Sequence, residues 1–242
     1  MSAYRQSPFS NITPVVKNLL IINIIFFVAT WVLRHTFDME RWLAVYYFHS
    51  PEFKLWQIIS YMFMHAGIDH PEHILFNMLA LFMFGPILEH SVGPKRFLNL
   101  YFICGIGAIL LQWIVQAIQI HGITGGYIIP HPELESSYLA YGPTAQKLYD
   151  IYNTPIVGAS GAIFGLLVAF AMLYPNMEMM IIFLPIPIKA KYLIPIYILL
   201  ELWLGVRQTG GDNVAHFAHL GGALFGFLVV KFWRLNRPNN YF

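Results

Sequence analysis

The sequence predicts an all-α membrane protein, a bundle of six transmembrane helices with a large outer element between the first and second spans. Three observations carry this expectation. Of 242 residues, 57% are apolar and only 11% are charged, whereas a soluble domain carries about 25% charged residues to cover its surface. Six long runs are mainly apolar and carry few Lys, Arg, Asp or Glu, and a run of about 20 apolar residues crosses a bilayer core. Third, the basic residues divide unequally between the two sides that these runs define. A net charge of +2 gives no argument for nucleic acid as a partner. Cys104 is the single cysteine, so no intramolecular disulfide can form, and it reads as a small core residue. A nuclear or cytosolic enzyme, a secreted disulfide scaffold and a disordered linker are excluded, and residues 1–242 read as a single membrane domain.

The spans follow in order, because a charge at a helix centre costs roughly 2.5 to 3.5 kcal/mol. Span one covers about 15–33; it is too long for a signal peptide and lacks its small-residue cleavage site. Span two covers about 73–89, span three 97–119 and span four 160–174. Span five covers about 190–206 and is expected to be broken by Pro195; span six covers about 214–233. The stretch 176–187 is too short and too rich in proline to cross. With the N-terminus inside, nine of the 14 basic residues fall on inner segments: Arg5, Lys17, Lys95, Arg96, Lys189, Lys191, Lys231, Arg234 and Arg237. Arg34, Arg41, Lys54, Lys147 and Arg207 fall outside. The excess supports six spans with both termini cytoplasmic. Of the two long outer segments, 34–71 is dense in aromatics such as Trp42, Tyr46, Tyr47 and Trp56. It is expected to lie, partly helical, at the outer leaflet. The other, 120–155, is rich in Gly, Pro and Tyr and reads as an ordered external loop or lid.

Polar residues inside spans are candidates for function, because lipid penalises them. Three strings stand out: His73 to Asn77 opening span two, Gly158 to Gly161 opening span four, and Ala215 to Gly222 early in span six. At 1.5 Å per residue, Asn77 lies roughly 18 Å above Glu89, Ser160 roughly 22 Å above Pro175, and His219 roughly 18 Å above Lys231. Three polar groups on three helices thus reach one level, several Å below the outer surface of a core about 30 Å thick. A water-filled cavity open to the outside is implied.

The chemistry of this set is acyl transfer. Ser160 is a hydroxyl nucleophile at a helix start, where free N–H groups and the dipole favour an oxyanion. His219 would be its general base. His73 and Asn77, spaced i, i+4, share one face and could donate to the same oxyanion. Asp38, Asp69, Asp150 and Asp212 all lie outside the spans, so no third member is expected and the pair reads as a Ser-His dyad. Each element has a plainer reading. Gly161/Gly165 and Gly222/Gly226 form small-residue ridges of the kind that pack transmembrane helices. His219 and Asn77 could each be an interhelical hydrogen bond. The readings are compatible, since such ridges would bring spans four and six together.

With these motifs the chain resembles the rhomboid intramembrane serine proteases over nearly its whole length. The resemblance rests on His73-x-x-x-Asn77, the Gly85/Glu89/Gly93 series, Gly158-x-Ser160-Gly161 and the Ala-His-x-x-Gly string of span six. It implies that Ser160 is the nucleophile and His219 the base, with His73, Asn77 and the Ser160 backbone N–H as the oxyanion hole. It also implies that Glu89 is a structural carboxylate fixing the inner loop beside Lys95 and Arg96. Glycines three and seven residues after the catalytic histidine select His219, from which they are Gly222 and Gly226; His216, one turn nearer the outside on a similar face, could tune or hydrate the site but reads first as an interfacial residue. Three departures stand out. Phe164 occupies the position where many relatives carry a tyrosine against the histidine ring. His70-Pro-Glu lengthens the interval from His65 to His73 and puts any role of His65 in doubt. The outer loop of about 36 residues is longer than usual; it is expected to shape access to Ser160.

Two other functions compete. A membrane zinc hydrolase would gather His65, His70, His73, His216 and His219, but the chain has no H-E-x-x-H motif. A catalytically inactive rhomboid-like client binder typically lacks the serine or the histidine, and both are present here. The expectation is an endopeptidase that cuts single-pass transmembrane proteins in the lipid bilayer through an acyl-enzyme, with no metal or cofactor. The membrane implied is a bacterial inner (plasma) membrane, with the active site open to its outer side.

Overall fold

The computed structural model describes residues 12–181, 184–207 and 214–235; Arg5, Asp212 and Arg237 lie outside them. Proline in its first turn starts α1 (Pro14–Leu33), where the missing N–H would have had no partner in any case. Two short helices follow: α2 (Met39–Leu43), capped by the Asp38 carboxylate on Arg41 N–H, and α3 (Gln57–Ser60), which runs into a 3₁₀ turn at 61–63. α4 (Pro71–Val92) and α5 (Pro94–Thr124) also begin at proline, separated by Gly93 at φ +83°. The outer segment then holds α6 (Ser136–Leu139) and α7 (Ala145–Asn153). The last third contains α8 (Ser160–Leu173), an antiparallel pair β1 (Glu178–Ile181) and β2 (Leu184–Lys189), α9 (Ala190–Arg207) and α10 (His216–Phe232).

Helices thus occupy all six predicted runs, with ends displaced by a few residues. α1, α4 and α5 are long and apolar enough to cross a membrane, and α8 and α10 are shorter apolar helices. Pro195 does not break α9, contrary to expectation. Its missing N–H leaves one carbonyl in the first turn without a helical partner, and the helix continues on either side. α5, α8 and α10 pack most closely against one another. α8 is at the centre, with every residue from Gly161 to Phe170 buried. α9 lies on the rim and exposes Tyr192, Ile196, Leu199 and Trp203. Such a surface suits lipid rather than water.

Glu89 is buried, but its partners are at the start of α1 rather than Lys95 and Arg96. Its carboxylate accepts from the Thr13 hydroxyl and from the backbone N–H groups of Val15 (3.1 Å) and Val16 (2.9 Å). It therefore ties the first helix to α4, satisfying donors that a helix start leaves open.

The two outer segments form one layer. Tyr47 from the first packs with Ile129, Tyr138, Leu148, Ile151 and Tyr152 from the second. Val45 and Ile156 exchange backbone hydrogen bonds of 3.0 and 2.8 Å. Two further bonds anchor the layer to α5: Trp113 Nε1–H to the Tyr46 carbonyl (3.0 Å) and the Tyr61 hydroxyl to the Gly105 carbonyl (2.7 Å).

Candidate active site

Ser160 is the first residue of α8, and the chain reaches it from the outer layer. Gly158 N–H donates to the Tyr61 carbonyl (3.0 Å), and Gly158 has φ +127°, a conformation that L side chains rarely adopt. A Cβ there would also sit 2.9 Å from His73 Nε2 and 3.4 Å from Ser160 Oγ. Glycine is therefore required twice over, by backbone angle and by the imidazole beside it.

The close approach of α8 and α10 brings the next side chain in. A Cβ on Gly222 would lie 1.8 Å from the Gly161 carbonyl oxygen, and one on Gly226 would lie 2.3 Å from that of Gly165. Only hydrogen fits at these crossings, so the two backbones touch. One turn above Gly222, His219 places Nε2 2.8 Å from Ser160 Oγ. The His219 ring stacks on Phe164 with centroids 4.4 Å apart and planes at 8°. The apolar ring contact thus exists with phenylalanine at this position.

The Nδ1 edge of His219 corrects the expectation that no carboxylate reaches it. Glu201, inside α9, holds Oε2 2.8 Å from His219 Nδ1 and 2.7 Å from His216 Nδ1. Glu201 is 4% exposed and His216 7%, so His216 is a buried partner of the site rather than an interfacial residue. The expectation of a dyad rests on the aspartates, which lie outside the predicted spans. The signal was present in the sequence: Glu201 is an acidic residue within an apolar run, the feature by which the other site residues were chosen.

His73 turns Nδ1 to accept from Ala66 N–H (3.2 Å). Its hydrogen must then reside on Nε2, the atom beside Gly158 and Ser160. Asn77 is buried on the same face of α4, and its amide donates to the His73 carbonyl (2.7 Å). His65 is 4% exposed and packs edge-on against His73, with ring centroids 5.3 Å apart. The five histidines weighed as zinc ligands do not converge. His70 is exposed, next to Glu72. Among the described residues, the group whose ligand atoms could share a metal is Glu201, His216 and His219.

The arrangement offers an alcohol, a base within hydrogen-bonding distance, a carboxylate behind that base and an imidazole N–H donor next to the Gly158 turn. The Rhomboid domain family profile matches residues 52–235. The RHOMBOID-like protein 12, mitochondrial, of Arabidopsis thaliana is 28% identical over 86% of this chain and 55% of that protein. The Rhomboid-like protein 11, chloroplastic, of the same plant is 26% identical over 90% of this chain and 64% of its own length. The rhomboid protease AarA of Providencia stuartii is 30% identical over 72% of this chain and 54% of its own. The chain thus spans about 54% to 64% of the length of these relatives. With one family profile running from the outer layer through the last helix, this chain belongs to the rhomboid family of helical integral membrane proteins.

Proposed function

We propose that this protein is an intramembrane serine endopeptidase that hydrolyses a peptide bond in or near the transmembrane segment of membrane-anchored substrates. The observation that carries this reading is the 2.8 Å approach of His219 Nε2 to Ser160 Oγ. In it, Ser160 Oγ attacks the substrate carbonyl carbon while His219 Nε2 takes the hydroxyl proton. The oxyanion that forms meets the Ser160 backbone N–H and His73 Nε2–H, with Asn77 as a further donor. Collapse breaks the C–N bond; His219 returns the proton to the leaving amine, and an acyl-Ser160 ester remains. Water then attacks the ester, with His219 again as base, and frees the enzyme. The reading assigns no metal or cofactor a part in these steps.

A substrate helix must unwind locally, because helical carbonyls are already hydrogen-bonded and shielded. Substrates with small or helix-breaking residues near the cut are expected. In this reading residues 1–242 act as one rhomboid-type membrane domain of six spans, with both termini cytoplasmic and Ser160 facing the outer side. Relatives named as mitochondrial and chloroplastic stand beside bacterial ones, so the bacterial inner membrane is not the location they single out.

Purified protein in detergent should cleave a model single-pass substrate and be labelled by a fluorophosphonate, and Ser160→Ala should lose both. Cleavage retained by Ser160→Ala would refute the mechanism. Activity lost to a chelator, with Ser160→Ala still active, would instead establish the zinc hydrolase. A folded protein that is never labelled would be the inactive client binder.

A further inference from the structure

We propose that Glu201 is a positioning residue for the Ser160–His219 pair, which makes the catalytic unit a Ser-His-Glu triad whose carboxylate is shared with His216. The inference rests on Ser160 and His219 being the catalytic pair. Four observations carry it.

The first is location. Glu201 lies two turns from the end of a helix that is otherwise apolar around it, and it is 4% exposed. A buried charge is retained only with close partners. Those partners are the two imidazoles, at 2.7 and 2.8 Å.

The second is the helix contact that sets it there. Ala190, Ile194, Glu201 and Gly205 form the buried stripe of α9. A Cβ on Gly205 would come within 3.1 Å of His216 Cβ, so α9 lies close against the start of α10. His216 and His219, spaced i, i+3 in that first turn, then meet the same carboxylate one turn further back along α9.

The third is the tautomer. An ionised carboxylate only accepts, so Nδ1 of each ring it touches must carry the hydrogen. A neutral His219 with its hydrogen on Nδ1 presents a lone pair at Nε2, the atom on Ser160 Oγ. The opposite tautomer would aim an N–H at the nucleophile and could not take its proton. Glu201 thereby selects the reactive form and stays ionised next to the imidazolium once the proton has moved from Ser160.

The fourth is rigidity. The His219 ring is stacked on Phe164 and bonded at both nitrogens, so neither its plane nor its rotation about that plane is free. The His216 bond holds the carboxylate itself in place.

The test uses the full chain in detergent with a model transmembrane substrate. Glu201→Gln keeps the shape and removes the charge; kcat should fall at least about 100-fold, with KM and melting temperature little changed. Glu201→Asp should recover about tenfold or more of that loss. His216→Phe leaves the Glu201–His219 bond in place and should cost less than about tenfold. A Glu201→Gln enzyme within about fivefold of the parent would overturn the proposal. So would a melting temperature that falls and a KM that rises in step with the loss of kcat, which would mark a purely structural role. Should these variants not fold, proton NMR of the unaltered protein decides. Two strongly downfield imidazole N–H signals are expected, one removed by His216→Asn and the other by His219→Asn; their absence overturns the assignment. Ser160→Ala in the same assays separates the two levels. If it abolishes cleavage while Glu201→Gln is indifferent, only the triad fails; if it stays active, the serine protease reading fails with it.

Discussion

The two side chains proposed as oxyanion donors differ in what they already bond. His73 Nε2–H faces the gap between Gly158 and Ser160, while the Asn77 amide is turned onto the His73 carbonyl. If this arrangement persists with substrate bound, His73→Ala should lower kcat by about 10² to 10³, the loss typical of one oxyanion donor. Asn77→Ala should lower it only about fivefold, the equivalent of one ordinary hydrogen bond of about 1 kcal/mol. Equal losses would show that Asn77 swings to the oxyanion in the complex. His65, outside the spans, gives a second residue-scale expectation. Burial, and then the neighbouring His73, push its imidazole down to about 3, against an opposing pull from the Phe63 backbone. The unfolded chain takes up this proton near pH 6.5 and the fold only near 3. His65 therefore lends stability above about pH 6.5 that is lost as pH falls toward 3, at up to about 1.4 kcal/mol per pH unit. Melting temperature in detergent should fall less steeply from pH 7.5 to 4.5 in His65→Asn than in the parent. Identical slopes would mean that protons reach His65 in the folded state. At this scale the sequence showed which atoms are present but not how they are aimed. Spacing placed Asn77 and His73 on one face, while the bond that turns the Asn77 amide depends on side-chain torsions that no spacing encodes.

Between elements, the fold depends on two glycines of α10. Gly222→Ala would put a methyl group 1.8 Å from the Gly161 carbonyl oxygen, which is backbone and cannot rotate away. α8 and α10 must then part, at a cost beyond the about 1 to 3 kcal/mol of ordinary overpacking. Because His219 is one turn away, thermal stability and kcat should fall together. Gly122→Ala supplies the contrast: nothing lies within 4 Å of its Cβ, and replacing a helical glycine is worth up to about 1 kcal/mol in its favour. Unchanged melting in Gly222→Ala would mean that the helices are not in backbone contact. The positions of the helices were legible because charge is so scarce within them. Two features were not. Pro195 read as a break, since proline removes one hydrogen bond, but the helix keeps the rest. The strand pair 178–181 and 184–189 was hidden because Pro187 argues against a strand. In a two-stranded sheet every strand is an edge, and an edge tolerates proline where its nitrogen faces outward.

At the scale of the whole molecule, the two outer segments that sequence treated separately behave as one body, because their shared core joins residues about 100 positions apart, Tyr47 and Tyr152 among them. Local pattern cannot reveal such a pairing; each half alone looks like an aromatic loop. The joint layer also fixes the approach to Ser160, through the Val45–Ile156 bonds and the Gly158–Tyr61 bond. The outer segment therefore has a part in holding Ser160, the proposed nucleophile, as well as any part in access. Tyr152→Ala separates these roles better than a deletion. It leaves the chain length intact but removes a fully buried ring and its hydroxyl, which accepts from Ile129 N–H at 3.1 Å. The expected cost is about 3 to 5 kcal/mol, as for other large core truncations. Hydrogen exchange should rise across 129–156 and leave α8 and α10 protected, and kcat should fall as the Gly158 turn loosens. Deleting 125–150 should lower kcat for the same reason, whatever it does to substrate entry. If Tyr152→Ala raises exchange in the layer but leaves kcat unchanged, the Tyr61–Gly158 bond alone suffices to hold Ser160, and the layer serves entry alone.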